Sequence, residues 1–223
     1  MRKLGKWRAW RNLPVGWVTQ ALHSADWSER ALRIFIELVI IGVLYQGLRW
    51  VWGKPLLVCP RLLLAVLAGH TLMWLLSGNF WVYVIDSFAF FRNPGLPKIM
   101  RFVAQTRALF TKYPTCDAIL IYGSMCRFQF HMRSDLDLRI VRRRGSAWGF
   151  LALLFGFALR VKSFLLLLPV DLQVVDSFEF LKHQMRADEK PIAVYVRPGL
   201  EIETGLGFDR LVNNPQIVLK EVR

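Results

Sequence analysis

Two long apolar runs constrain this chain before anything else does. Ile34 to Trp52 is almost wholly apolar, and so is Leu62 to Ile85. At about 1.5 Å of rise per residue, either run is long enough as a helix to cross a hydrocarbon layer of roughly 30 Å. Between them lies a short connection punctuated by Gly53, Pro55 and Pro60. The pattern predicts a transmembrane helical hairpin within residues 34–91, with spans over about 34–52 and 62–85.

Lys and Arg set the expected orientation. Arg2, Lys3, Lys6, Arg8, Arg11, Arg30 and Arg33 precede the first span, and Arg92, Lys98, Arg101 and Arg107 follow the second. Between these groups stand only Arg49, Lys54 and Arg61. Cytoplasmic flanks collect positive residues. Both termini are therefore expected in the cytoplasm, with the protein multi-pass in the inner membrane. Residues 1–33 carry Trp7, Trp10, Trp17 and Trp27 among basic residues and read as an interfacial, juxtamembrane segment. They lack the apolar core and small-residue cleavage site of a signal peptide. Inside the spans, Glu37 lies close enough to an end to snorkel, and His70 is expected to hydrogen-bond a neighbouring helix. Ala65-x-x-x-Gly69 permits close helix packing.

Composition supports this division. The chain has 30 Lys and Arg against 16 Asp and Glu, yet 54% of its residues are hydrophobic. A basic soluble domain rarely carries so much apolar residue, whereas a membrane protein with a basic cytoplasmic part does. The charge suits an anionic lipid surface or a triphosphate. It also admits nucleic acid, which is not the favoured partner. Cys59, Cys116 and Cys126 make neither a disulfide framework nor a zinc spacing.

From Arg92 the character changes, and residues 92–223 read as a cytoplasmic domain. Pro94 to Pro97 reads as a linker. Ile99, Phe102, Val103, Leu109 and Phe110 mark a helix that Pro114 stops. Asp117–Tyr122 reads as a buried strand, and Asp135–Val141 alternates as a second. Ser146–Leu168 is apolar and helical but is interrupted by Arg160 and Lys162. Val170–Val175, Ser177–Arg186 and Ile192–Val196 follow as strand, helix and strand. This order predicts a small α/β or α+β domain. Beyond Pro198 the tail reads as loosely ordered.

One constellation carries chemistry. A strand ending in Gly123-Ser124 gives a tight turn whose amides and hydroxyl suit phosphate oxygens. Asp135 and Asp137 are two apart, hence on one face of a strand and about 6.5–7 Å apart along it. Carboxylates so placed suit Mg²⁺ between protein and triphosphate. Arg127 falls three residues after Ser124, and Ser134 directly precedes Asp135.

Together, Gly123-Ser124, Arg127 and Ser134-Asp135-Leu136-Asp137 resemble the DNA polymerase β-like nucleotidyltransferase superfamily, and most closely its minimal branch. The resemblance covers roughly residues 97–197. It implies an α+β domain with a small mixed sheet flanked by helices, here preceded by the two-helix hairpin. It also implies a third carboxylate on a later strand, which Asp171 matches. If the three acids act together, Ser146–Leu168 stays on their side of the membrane. By resemblance, Gly123 and Ser124 hold the triphosphate and Arg127 and Ser134 join in binding the nucleotide, while Arg133 supports the loop or triphosphate. Asp135, Asp137 and Asp171 are the catalytic and metal-binding trio for two Mg²⁺, with Mn²⁺ as the alternative ion. His131 is expected to play no such part. Where the family usually has Gly after the Arg, this chain has Phe128, in a loop made apolar by Phe128, Phe130 and Met132.

The expected activity is transfer of a nucleoside monophosphate from a nucleoside triphosphate to a hydroxyl of a membrane-associated acceptor, namely a lipid, a lipid-linked sugar or a protein. Two alternatives stand beside it. One is a minimal nucleotidyltransferase that modifies a partner protein, as in toxin–antitoxin pairs. The other is a catalytically silent nucleotide-binding or scaffold protein.

Overall fold

A computed structural model of the protein describes residues 14–19, 25–52, 58–76, 79–88, 91–143, 145, 147–184, 186 and 189–219. Trp7 and Trp10 lie outside these. The first apolar run forms helix α1 (Trp27–Trp52), which begins about two turns before the apolar stretch itself. The second forms two helices, α2 (Val58–Leu76) and α3 (Asn79–Ser87), where one helix to Ile85 is expected. Helices α1 and α2 pack together with Ala65 and Gly69 buried at their contact and Gly69 against Ile41. Glu37 does not snorkel. Its carboxylate lies 2.7 Å from His70 Nδ1, which joins the two helices, and His70 Nε2 lies 2.9 Å from the Trp17 carbonyl. Trp17 packs edge-on against His70 and donates to Thr71, so it belongs to the helix bundle.

Helix α4 (Leu96–Lys112) opens the α+β part and buries Ile99, Phe102, Val103, Thr106 and Phe110 along one face. Strand β1 (Cys116–Tyr122) leads into a single helical turn, α5 (Gly123–Cys126). Then follow β2 (Leu136–Arg142), α6 (Ala147–Leu165) and β3 (Val170–Val175). Next come α7 (Phe178–Gln184) and β4 (Ile192–Val196). With the short β5 (Leu206–Gly207), the mixed sheet runs β3-β2-β1-β4-β5, with β1 antiparallel to β2 and β4, and β2 parallel to β3. Beyond Pro198 the described part of the tail is folded rather than loosely ordered. It contributes β5 (Leu206–Gly207), α8 (Phe208–Asn213) and a 3₁₀ turn (Pro215–Val218). Leu206, Phe208, Leu211 and Val218 are buried there, which anchors segments too short to show a period in the sequence.

The alternation of β2 divides its side chains between two layers. Leu136, Leu138 and Ile140 join the main core under α4 and α6, while Val141 joins a thinner layer under α7 with Leu120, Val175 and Leu181. Asp137 and Arg139, four and two residues before Val141, share that thinner face.

Helices α1, α2 and α6 are all long and apolar enough to cross a membrane. Helix α6 also connects the parallel neighbours β2 and β3. It lies so close to the sheet that a Cβ on Gly156 would stand 2.3 Å from Val174 Cγ2. This places α6 as a layer of the sheet domain.

The edge strand β3 is sealed by side chains. Glu29 of α1 accepts the Val174 N–H at 2.7 Å through Oε2. Its Oε1 pairs with Arg33 and with Arg160 of α6, and all three side chains are at most 2% exposed. Arg160 donates to the Leu172 carbonyl at 2.6 and 2.9 Å. Asp26 accepts the Asp176 N–H at 2.7 Å. Pro94 to Pro97 is likewise no slack linker. Asn93 is buried and donates to the carbonyls of His131 and Ser134, and Leu96 begins α4.

Candidate active site

The ends of three strands assemble the site. In register, Tyr122 at the end of β1 faces Asp137 near the start of β2, and Asp137 faces Asp171 near the start of β3. Gly123 follows β1 with φ +69°, a backbone region that favours glycine. A Cβ there would stand 1.8 Å from Asp137 Oδ2. The Asp137 carboxylate therefore rests directly against the Gly123-Ser124 turn. Ser124 Oγ is buried without a hydrogen-bond partner at this turn.

Arg139 stands between the two acids. Its Nη2 lies 2.8 Å from Asp171 Oδ2 and 3.4 Å from Asp137 Oδ1, and its Nη1 donates to the Asp171 carbonyl at 2.6 Å. The sequence carries a signal for this residue: Arg139 is two residues after Asp137 and so shares its face. Arg127 pairs with Glu189, a nearly buried acid that has no recognisable motif around it. Tyr122, Gly123, Arg127, Asp137, Arg139, Leu181 and Glu189 line a polar cleft of about 230 Å³.

The remaining expected residues fall elsewhere. Asp135 precedes the first residue of β2 and is absent from the cleft lining. Among the described residues no three His, Cys, Asp or Glu side chains gather closely enough to share one ion. Ser134 turns into the loop, where its hydroxyl accepts the His131 N–H at 3.1 Å and meets His131 Nδ1 at 2.5 Å. Arg133 reaches back to the Ile85 carbonyl of α3. Phe128 has φ +57°, so the loop keeps the left-handed backbone that glycine would favour. A side chain in that conformation costs about 1–2 kcal/mol.

Environment separates the two facing acids. Burial raises Asp137 to about 6, and Asp171 adds to the rise while Arg139 and Arg127 oppose it. Burial would raise Asp171 too. The Arg139 guanidinium, aided by Arg160 and Arg33, outweighs burial and holds that carboxyl below its usual value. One acid is thus ready to take a proton near neutral pH, while its partner stays ionised.

No protein-family model matches the chain, and a search of the curated proteins finds no match.

Proposed function

We propose that this protein is a membrane-anchored nucleotidyltransferase that moves a nucleoside monophosphate from a nucleoside triphosphate to a hydroxyl of a membrane-associated acceptor. The observation that carries this reading is the pairing of Asp137 with Asp171 across parallel strands, with Asp137 lying against the Gly123-Ser124 turn. The donor set suits Mg²⁺: two carboxylates lie in register and already share one cation, Arg139. Asp137 and Asp171 would hold the ion, with Asp135 as a third ligand by resemblance. When bound, Mg²⁺ supplies charge neutralisation at the transferring phosphate.

The chain's own groups do the rest. Gly123 allows the backbone to approach phosphate oxygens closely, and Ser124 Oγ is an unused donor beside it. Arg127, fixed by its pairing with Glu189, places guanidinium donors on the cleft wall. By resemblance Asp171, held ionised beside Arg139, would help activate the attacking hydroxyl. The α1–α2 hairpin, seated in a bilayer, holds the cleft near membrane-borne acceptors and raises their effective concentration. The test is turnover of labelled triphosphates with Mg²⁺ and membrane extract by purified full chain. Asp137→Ala should lower the rate at least about a hundredfold. An unchanged rate removes the assignment.

The Arg139 contacts also favour a second reading, a nucleotide-binding protein without turnover in which Arg139 is the permanent cation. Calorimetry distinguishes it: triphosphate binding that needs no Mg²⁺ and survives in Asp137→Ala supports this reading over the first.

A further inference from the structure

A second and larger concavity lies apart from the polar cleft. It is a groove of about 780 Å³, within the roughly 300–1,000 Å³ typical of small-molecule sites. Leu96, Met100 and Ala104, four residues apart on α4, form one wall. Phe130 of the active-site loop and Val212 and Leu219 of the tail complete it. The Phe130 N–H donates to the Val218 carbonyl at 2.9 Å, so loop and tail close the groove together.

Two features identify the occupant. The first is charge. The described lining has no acidic residue, and its polar members include Arg101 and His131, both exposed. Arg92 and Lys98 stand exposed alongside, with Arg92 reaching Met132 Sδ at 3.7 Å. The second is position. Asn93, in the segment that leaves α3, lines the groove and receives its backbone partner from the loop: Asn93 N–H donates to the Met132 carbonyl at 2.8 Å. The mouth is thus fixed at the root of the helix bundle, and Met132 at its rim is 63% exposed. An apolar trough with a basic mouth, opening where the chain leaves the bilayer, matches a hydrocarbon chain carrying an anionic headgroup.

We propose that this groove binds an acyl chain of an anionic glycerophospholipid, with its phosphate between Arg101, His131 and Arg92. The inference rests on the membrane reading of α1 and α2 and not on nucleotidyl transfer. The site secures the loop that joins the Gly123-Ser124 turn to Asp135, and so ties the shape of that loop to the bilayer.

The test uses full-length protein in phosphatidylcholine nanodiscs with a phosphatidic acid that carries a diazirine on its acyl chain, irradiated and mapped by mass spectrometry. No nucleotide is added, so an inactive cleft leaves the outcome unaffected, and Asp137→Ala should label as the native chain does. Labels are expected on Met100, Ala104 or Phe130 as well as on the exposed span residues Leu38, Val43 and Leu63. Ala104→Trp should remove the groove labels and keep the span labels, at unchanged melting temperature. Arg101→Gln should lower groove labelling about fivefold. Labelling confined to the spans overturns the proposal, whether residues 1–13 of the chain, a second copy or nothing fills the groove. Equal groove labelling by a phosphatidylcholine analogue overturns the anionic assignment.

Discussion

At the outer edge of β3, one carboxylate serves two guanidiniums. A few residues earlier on the same strand, two carboxylates share one. Glu29 gives both oxygens to the fold, one to Arg33 and Arg160 and the other to the Val174 N–H, and the cluster is shut away from water. Asp137, Asp171 and Arg139 leave negative charge in excess, and their side chains remain 13–23% exposed. A buried carboxylate with both oxygens paired in this way holds neighbouring elements together. A cluster left with surplus charge beside a polar cleft has an unmet demand that a ligand can meet. The difference separates an acid committed to the structure from acids that the proposed transfer would use.

The most severe way to break this contrast is Glu29→Gln. It leaves Arg33 and Arg160 buried with uncompensated charge, and should destabilise the protein by about 3–5 kcal/mol. Thermal melting in detergent reads this, and a loss under about 1 kcal/mol would place Glu29 among the dispensable surface pairs. Asp137→Ala, by contrast, should remove turnover while leaving the melting temperature near that of the native chain. Smaller still is the effect of Arg139→Gln. Removing the shared cation leaves Asp137 and Asp171 facing each other, so added Mg²⁺ or Mn²⁺ should raise the melting point of this variant more than that of the native chain. Equal shifts would mean that the acid pair does not recruit the ion.

The finest test uses pH. Asp137 at about 6 stands above its ordinary 3.8, so the folded chain binds this proton more tightly than the unfolded chain does. Its favourable contribution is complete below about pH 4 and is lost as pH rises through about 6. Asp171 is lowered and contributes in the opposite sense, above about pH 4, with loss as pH falls through its folded value. Stability of the native chain should therefore decline between about pH 4 and 7 by an amount of order 1 kcal/mol, after allowance for solvent in the cleft. Asp137→Asn should flatten that decline, and an identical slope in both proteins would locate the titration elsewhere.

Much of the sheet was legible in the chain. Strands β1 to β4 announce themselves through apolar runs and alternation, and Pro114 and Pro169 mark where helices must have ended. The same alternation contained Arg139, whose spacing puts it beside Asp137, although only the register of β3 shows that it bridges to Asp171. The contact between Glu29 and Val174 was not legible, because it joins residues 145 apart in sequence and has no local period. Glu189 was hidden for the same reason, since an isolated acid between α7 and β4 gains meaning only through Arg127. The tail from β5 to the 3₁₀ turn was missed because each piece is shorter than the window in which periodicity can be counted. Of the Asp135, Asp137 and Asp171 trio, Asp137 lines the cleft, Asp171 meets it through Arg139, and Asp135 stands ahead of β2.

The bonds from Asp26 and Glu29 to β3 bear on reach. A catalytic domain on a loose tether sweeps out a volume and can meet acceptors at many heights above its attachment point. Here the first helix of the bundle is fastened to the edge of the same strand that carries Asp171, with only Leu172 and Gln173 between that acid and Val174. Such a mount has almost no slack. In a bilayer it would act as a depth gauge for the proposed transfer, selecting acceptors by how far their hydroxyl stands from the membrane plane.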